Sequence, residues 1–159
     1  MYSLRRVMVS NAKAASNLYH ALEAILVFLN PVWKFVGLER IDKAFSFIER
    51  NIKGLLFDCQ MCGYCVLDKT GMSCPMNCPK QIRNGPCGGV RDDGNCEVKP
   101  EMRCVWLEAW RGAKKLDPNT TVVPDLEILS PVDQLRKGHS SWLIKVQEIQ
   151  SSKVSVSHD

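Results

Sequence analysis

Hydrophobic positions recur with a helical period along the first third of the chain. Between Asn11 and Leu29, the residues Leu18, Leu22, Ile25 and Leu29 fall three and four apart, which places them on one face of a helix. Asn30-Pro31 ends that helix, because the residue before a proline is pushed out of the helical region. Pro31 also suits the first turn of the next helix. From Ile41 the pattern repeats: Ile41, Phe45, Ile48 and Ile52 share a face, Asp42, Lys43, Glu49, Arg50 and Lys53 lie opposite, and Gly54 is the expected stop. The apolar face of the first helix is expected to pack within its own domain, since it lacks the Lys-rich polar face of a membrane-surface helix. Residues 1–10 carry no strong signal.

Past residue 54 the period is lost. Leu55, Leu56 and Phe57 predict an apolar lid beside the cysteines that follow. Gly71, Pro75, Pro79, Asn84-Gly85-Pro86, Gly88-Gly89, Asp93-Gly94 and Pro100 then punctuate the chain with turn residues rather than strand or helix interiors. A short helix is expected over Glu101–Lys114, carrying Cys104, Trp106, Leu107 and Trp110, with both tryptophans read as core. Pro118, Pro124 and Pro131 predict an extended tail, then an amphipathic piece over Trp142–Ile149, and a Ser-rich disordered end from Ser151 to Asp159. The expected fold class is a small α plus irregular metal-stabilised domain. Its parts are a helical platform over 1–54, a loop-rich cysteine wrap ending in a short helix over 55–116, and a tail over 117–159.

The wrap needs another source of order, and cysteine supplies the candidate. All eight cysteines, Cys59, Cys62, Cys65, Cys74, Cys78, Cys87, Cys96 and Cys104, lie in that one stretch. Hydrophobic content of 45% with 24% charge is ordinary for a soluble globular chain. No apolar run approaches the roughly 18 residues of a membrane span. The run Ala24–Leu29 is short and not followed by a small-residue cleavage site, so no signal peptide is expected. A cytoplasmic location follows, which moves the cysteines from disulfides to metal ligands. The formal net charge of +4 then roughly cancels against the thiolates of two centres. Lys69, Lys80, Arg83, Arg91, Lys99 and Arg103 are read as offsetting those thiolates, not as a nucleic-acid surface.

Spacing bears on which metal. A zinc ribbon uses two close cysteine pairs, whereas only Cys59, Cys62 and Cys65 are closely spaced here. C-x2-C-x2-C followed by a cysteine before proline is the grammar of cubane iron–sulfur binding, and Cys78-Pro79 supplies that ending. Two-residue spacings curl the backbone so that three sulfurs face three corners of a cube. Glycine lets the backbone come close, which makes Gly63, Gly85, Gly88 and Gly89 candidate cofactor-contacting residues. Cys59, Cys62 and Cys65 are expected to share one centre, with iron–sulfur favoured over a zinc staple; the second centre stays open between the two. One or two [4Fe-4S] clusters, or one or two zinc ions, are the cofactors in question. There is no P-loop, no G-x-G-x-x-G after a strand and no H-E-x-x-H, and no catalytic residue is assigned. His20, His139 and His158 read as solvent-facing or capping residues, and Asp92 and Asp93 as turn residues before Gly94.

The run from Gly54 to Trp106, above all TGMSCPMNCPK, NGPCGG and CEVKPEM, resembles the C-terminal cysteine-rich domain of some methylenetetrahydrofolate reductases, also found as a separate MetV-type subunit. GHSSW from Gly138 to Trp142 is similar to the tail of that family. The resemblance implies a partner, a MetF-like barrel subunit carrying FMN or FAD, which reduces methylenetetrahydrofolate to methyltetrahydrofolate. The present chain holds no such barrel, which needs about 250 residues. It would be an accessory or electron-transfer subunit, not catalytic alone, served by a ferredoxin-like or other redox donor. The alternative is a zinc-stabilised interaction module of a one-carbon enzyme complex.

Overall fold

A computed structural model describes residues 2–83, 85–119, 129 and 131–156. Four helices come first: α1 (Tyr2–Ser10), α2 (Ala12–Phe28), α3 (Asn30–Val36) and α4 (Leu38–Phe57). An irregular segment follows, relieved by a 3-10 turn at Pro75–Asn77, and leads to α5 (Val105–Leu116). A second 3-10 turn at Gln134–Arg136 precedes α6 (Ser141–Val156). Among the described residues there is no strand, only two isolated antiparallel bridges, Val90–Cys96 and Asn95–Arg103. The expected combination of helices with an irregular cysteine segment is thus what the chain forms.

Several boundaries differ from those the pattern predicts. Residues 2–10, which carry no clear periodicity, form α1, whose Val9 is buried and which packs on α4 and α5. Pro31 takes the first turn of α3 as expected. α4 does not stop at Gly54: it continues one turn to Phe57 and ends where Asp58 enters the left-handed region at φ 54°, a conformation that aspartate tolerates. α6 continues to Val156, so residues 151–156 are helical rather than disordered; serine is only mildly unfavourable inside a helix. Most of the extended tail predicted from Pro118 onward, residues 120–128 and 130, lies outside the described residues, as do residues 157–159.

The larger departure concerns which face is buried. The main core joins Ala12, Tyr19 and Leu26 of α2 to Phe57, Leu67, Met72, and Trp142 and Val146 of α6. Of the predicted stripe of α2, Leu22 packs against this core, whereas Leu18 is 71% and Ile25 55% exposed. On α4 Phe45 packs against the core and Lys43 and Arg50 are exposed as expected, but further along the helix the faces exchange: Ile48 and Ile52 are about half exposed, while Glu49 and Lys53 are each 1% exposed. A helix buries whichever face its neighbours can satisfy. Here the neighbours of α4 are polar, because the serines at the start of α6 and the cysteine loop give a carboxylate and an ammonium their partners. No helix among the described residues is long and apolar enough to cross a membrane.

Candidate metal centre

The loop Cys59–Cys65 leaves the C-terminus of α4 and turns tightly. Cys59 is tied back to the helix by its amide, which donates to the Lys53 carbonyl at 3.2 Å. Met61 then takes positive φ and donates its amide to Cys59 Sγ at 3.4 Å. Gly63, at φ 73°, has no room for a side chain: a Cβ there would lie 2.0 Å from the Arg136 carbonyl oxygen. The close approach that demands this glycine is therefore to the tail of the chain. The tail is pinned again where Gly138 donates its amide to the Met61 carbonyl at 2.8 Å.

This folding draws Cys59, Cys62, Cys65 and Cys74 around one small cavity of about 20 Å³, walled by Phe57, Val66, Leu67 and Pro75. Of the predicted lid, Phe57 is buried at the cavity wall while Leu55 is 63% exposed. The fourth cysteine at the cavity is Cys74, not Cys78. Cys74 also precedes a proline, Pro75, so the Cys-Pro signal occurs twice and the nearer copy is the one that reaches the triplet.

The other four cysteines have separate surroundings. Cys78 is buried. Cys87 is exposed and accepts the Gly89 amide at 3.4 Å, Cys96 packs with Met102 and Val105, and Cys104 precedes α5 beside Val66, Trp106 and Ala109. None of the eight is in a disulfide. Among the described residues no group of three or more His, Cys, Asp or Glu side chains is placed to hold a single metal ion. Of the remaining candidate glycines, Gly85 and Gly88 have positive φ, and a Cβ on Gly89 would strike the Glu97 carboxylate.

Positive charge meets the four-cysteine cavity from two sides. Arg83, 5% exposed, donates Nη1 to Cys62 Sγ at 3.5 Å and Nη2 to the Tyr64 carbonyl at 2.9 Å. Lys53 is buried behind Glu49 and Ser141, which line the cavity. It donates Nζ to Glu49 Oε1 at 2.7 Å and to Ser141 Oγ at 2.9 Å, and lies 4.7 Å from the Trp142 ring centre. Glu49 is saturated by the tail: Ser140 Oγ donates to Oε2 at 2.6 Å, Ser141 Oγ donates to Oε1, and the Trp142 amide reaches Oε2 at 3.5 Å. Burial lowers the affinity of Lys53 for its proton, but the neighbouring Cys65 and Glu49 outweigh it, and the ammonium is held above the ordinary lysine range. Burial pushes the Cys59 thiol up to about 11 and drives Cys74 higher still.

The donor set suits a thiolate-held group. Tyr19 Oη is buried without a hydrogen-bond partner, and burial, with Cys65 close by, raises the affinity of the phenol for its proton. An anionic Cys65 would give that hydroxyl its acceptor. Of the six basic residues that the sequence assigns to offsetting thiolates, Arg83 touches a cysteine and Lys80 lies beside Cys87. Lys53 and Glu49 escape that reading, because their helical phase alone places them in solvent. His139 is more exposed than buried and pairs with Asp42 at 2.8 Å, holding the start of α6 to α4. The Asp93 carboxylate accepts the Asn95 amide at 2.9 Å, the turn role expected of it.

A family model described as methylene-tetrahydrofolate reductase C terminal matches residues 38–133, more than half of the chain. The chain belongs to this family. The region shared with the methylene-tetrahydrofolate reductase C-terminal family contains all eight cysteines, α4 and α5, but stops short of GHSSW and α6. No curated protein and no solved structure matches the chain.

Proposed function

We propose that this protein is the accessory electron-transfer subunit of a MetVF-type methylenetetrahydrofolate reductase. In this reading Cys59, Cys62, Cys65 and Cys74 hold a [4Fe-4S] cluster, which supplies one-electron redox chemistry to the flavin of a separate MetF-like barrel. The observation that carries it is the convergence of the C-x2-C-x2-C triplet and a Cys-Pro cysteine on one cavity, in a chain of this family. The chain's own residues perform the supporting work. Phe57, Val66 and Leu67 keep water from the sulfurs, Met61 and Arg83 donate to them, and Lys53 places a buried positive charge beside them. Electrons would come from a ferredoxin-like donor.

One observation favours a second reading. A cavity of about 20 Å³ is too small for a cube as the side chains stand, which turns attention to a zinc-stabilised interaction module with no redox role, whose thiolates would likewise have to draw together on the ion. Anaerobic purification followed by metal analysis and EPR separates the two. Iron and sulfide with a dithionite-induced EPR signal support electron transfer. Zinc near two per chain with no such signal rules it out in favour of the module. Co-elution with the short flavin reductase subunit tests the partner under either metal.

A further inference from the structure

A groove of about 1070 Å³ lies between α4 and α6, with the 3-10 turn Gln134–Arg136 contributing to its wall. Its apolar lining includes the buried Met61 and Leu143, while Phe47 and Leu135 stand out at its edge, 70% and 88% exposed. The charges around it are unevenly settled. Asp42 accepts from the Ser140 amide at 3.0 Å and pairs with His139 at 2.8 Å, and Glu148 pairs with Arg136. Lys43 and Arg50, by contrast, are exposed and have no ion-pair partner among the described residues. The spacing 43, 47, 50 sets these two cations on one stripe of α4 with Phe47 between them. The groove thus combines an apolar bed with two uncommitted positive charges along one side.

Its position relative to the cysteines gives the groove a purpose. Met61 and His139 line both the groove and the four-cysteine cavity. Met61 lies between Cys59 and Cys62, donates its amide to Cys59 Sγ, and accepts the Gly138 amide on its carbonyl. A protein seated in the groove therefore rests against the loop that carries the sulfurs. A recessed apolar groove suits a lasting subunit contact better than a passing electron donor, because transient redox contacts are small. A barrel enzyme turns a ring of helices outward, and a helix can lay its apolar face into such a groove. We propose that the groove between α4 and α6 docks the flavin-carrying barrel subunit by receiving one of its amphipathic helices, apolar face on Phe47, Leu135 and Leu143 and carboxylates toward Lys43 and Arg50. The inference rests on the partner reading given above and holds whichever metal the cysteines carry. It gives α6 and the turn before it, which lie beyond the residues that match the family, a part in assembly.

The test uses the full chain and the purified flavin subunit, and reads their dissociation constant by titration calorimetry. Phe47→Ala is expected to weaken binding about thirtyfold, the scale of an interface hot spot, and Leu135→Ala about tenfold. Both side chains are exposed, so each variant should melt as the parent does; should Phe47→Ala fail to fold, Leu135→Ala, on a turn outside the helices, decides. Phe28→Ala is the control: it alters an equally exposed aromatic position on α2 that does not line the groove, and should bind as the parent does. Lys43→Glu combined with Arg50→Glu is expected to bind about tenfold more weakly at low salt and to lose most of that difference at about 1 M salt, where surface charge is screened. Phe47→Ala and Leu135→Ala that both bind within about twofold of the parent overturn the proposal, as does an equal loss from Phe28→Ala. A charge-reversed variant that matches the parent at low salt overturns the acidic helix as occupant. A parent chain that pairs with itself through Phe47 assigns the groove to a second copy and overturns the proposal likewise. A parent that does not bind the flavin subunit overturns the partner reading together with the docking surface, whereas a binding parent with indifferent groove variants overturns the docking surface alone.

Discussion

Glu49 is the residue on which the tail, α4 and the cysteine loop meet, and it is where single-residue chemistry is most exposed to test. Glu49→Ala would strand the Lys53 ammonium and the two serine hydroxyls in a dry site. The expected cost is about 3–5 kcal/mol in a urea titration, the scale of a broken buried pair. A cost under about 1 kcal/mol would mean that water reaches Lys53 in solution. Cys62→Ser bears on the neighbouring chemistry. With one of four thiols gone, the first centre should be lost whole, and metal content per chain should fall by that centre's complement together with local order around residues 59–74. Unchanged metal content and unchanged melting in that variant would contradict the assignment. The cysteines were legible because their spacing reflects the geometry of what they bind. Glu49 and Lys53 were not, because a charged residue on a helix reads as solvent-facing until the partners that satisfy it are known, and those partners lie some ninety positions further along the chain.

The exchange of faces in the second half of α4 is a property of the element, and it makes a contrast that can be measured. Ile48→Gln and Ile52→Gln alter positions that are half exposed and should each change stability by no more than about 0.5 kcal/mol, although the helical period marks them as core. A loss of several kcal/mol from either would restore the face that periodicity predicts. α6 is anchored by a comparable cross-element contact: Lys145 donates to Glu23 of α2 and to Asp68 of the wrap, each at 3.1 Å, and lies over the Tyr19 ring. Burial lowers the proton affinity of Lys145, but the carboxylates of Asp68 and Glu23 together outweigh it, so its folded value sits above the ordinary 10.5. A raised value means that the contribution is fully present below the unfolded value and fades only as pH climbs through the folded one. Lys145→Met should therefore cost about 1 kcal/mol, discounted for partial exposure, and the cost should be flat from pH 6 to 9. A cost that halves between pH 7 and 9 in paired melts would show that the bridge is not made. Helix existence was readable from the residue pattern in α2, α4, α5 and the first half of α6, and from Pro31 in α3; helix ends and buried faces were not, because tertiary partners decide them.

The family match and the folded unit do not coincide, and the difference defines a prediction for the molecule as a whole. Residues 38–133 hold every cysteine, yet the main core takes Ala12, Tyr19 and Leu26 from before that range and Trp142 and Val146 from after it. The loop that carries Cys59, Cys62 and Cys65 is held by Arg136 and Gly138, also outside the range. Removing Tyr19, Leu26, Trp142 and Val146 from the core forfeits roughly 6–12 kcal/mol of apolar burial at about 1.5–3 kcal/mol per side chain. That is comparable to the entire stability of a small domain, about 5–15 kcal/mol. A fragment spanning 38–133 should accordingly lack a cooperative thermal transition when metal-free, and should show collapsed amide dispersion by NMR, while the full chain melts in one step. Metal would restore order to the fragment only around the cysteines, since coordination replaces the missing constraints there and nowhere else. A metal-free fragment that melts as sharply as the full chain would mean that the helices outside the family region are additions to a self-sufficient unit. The structure argues the opposite: α2 and α6 close over the cysteine wrap, and the wrap is ordered by what the two ends of the chain bring to it.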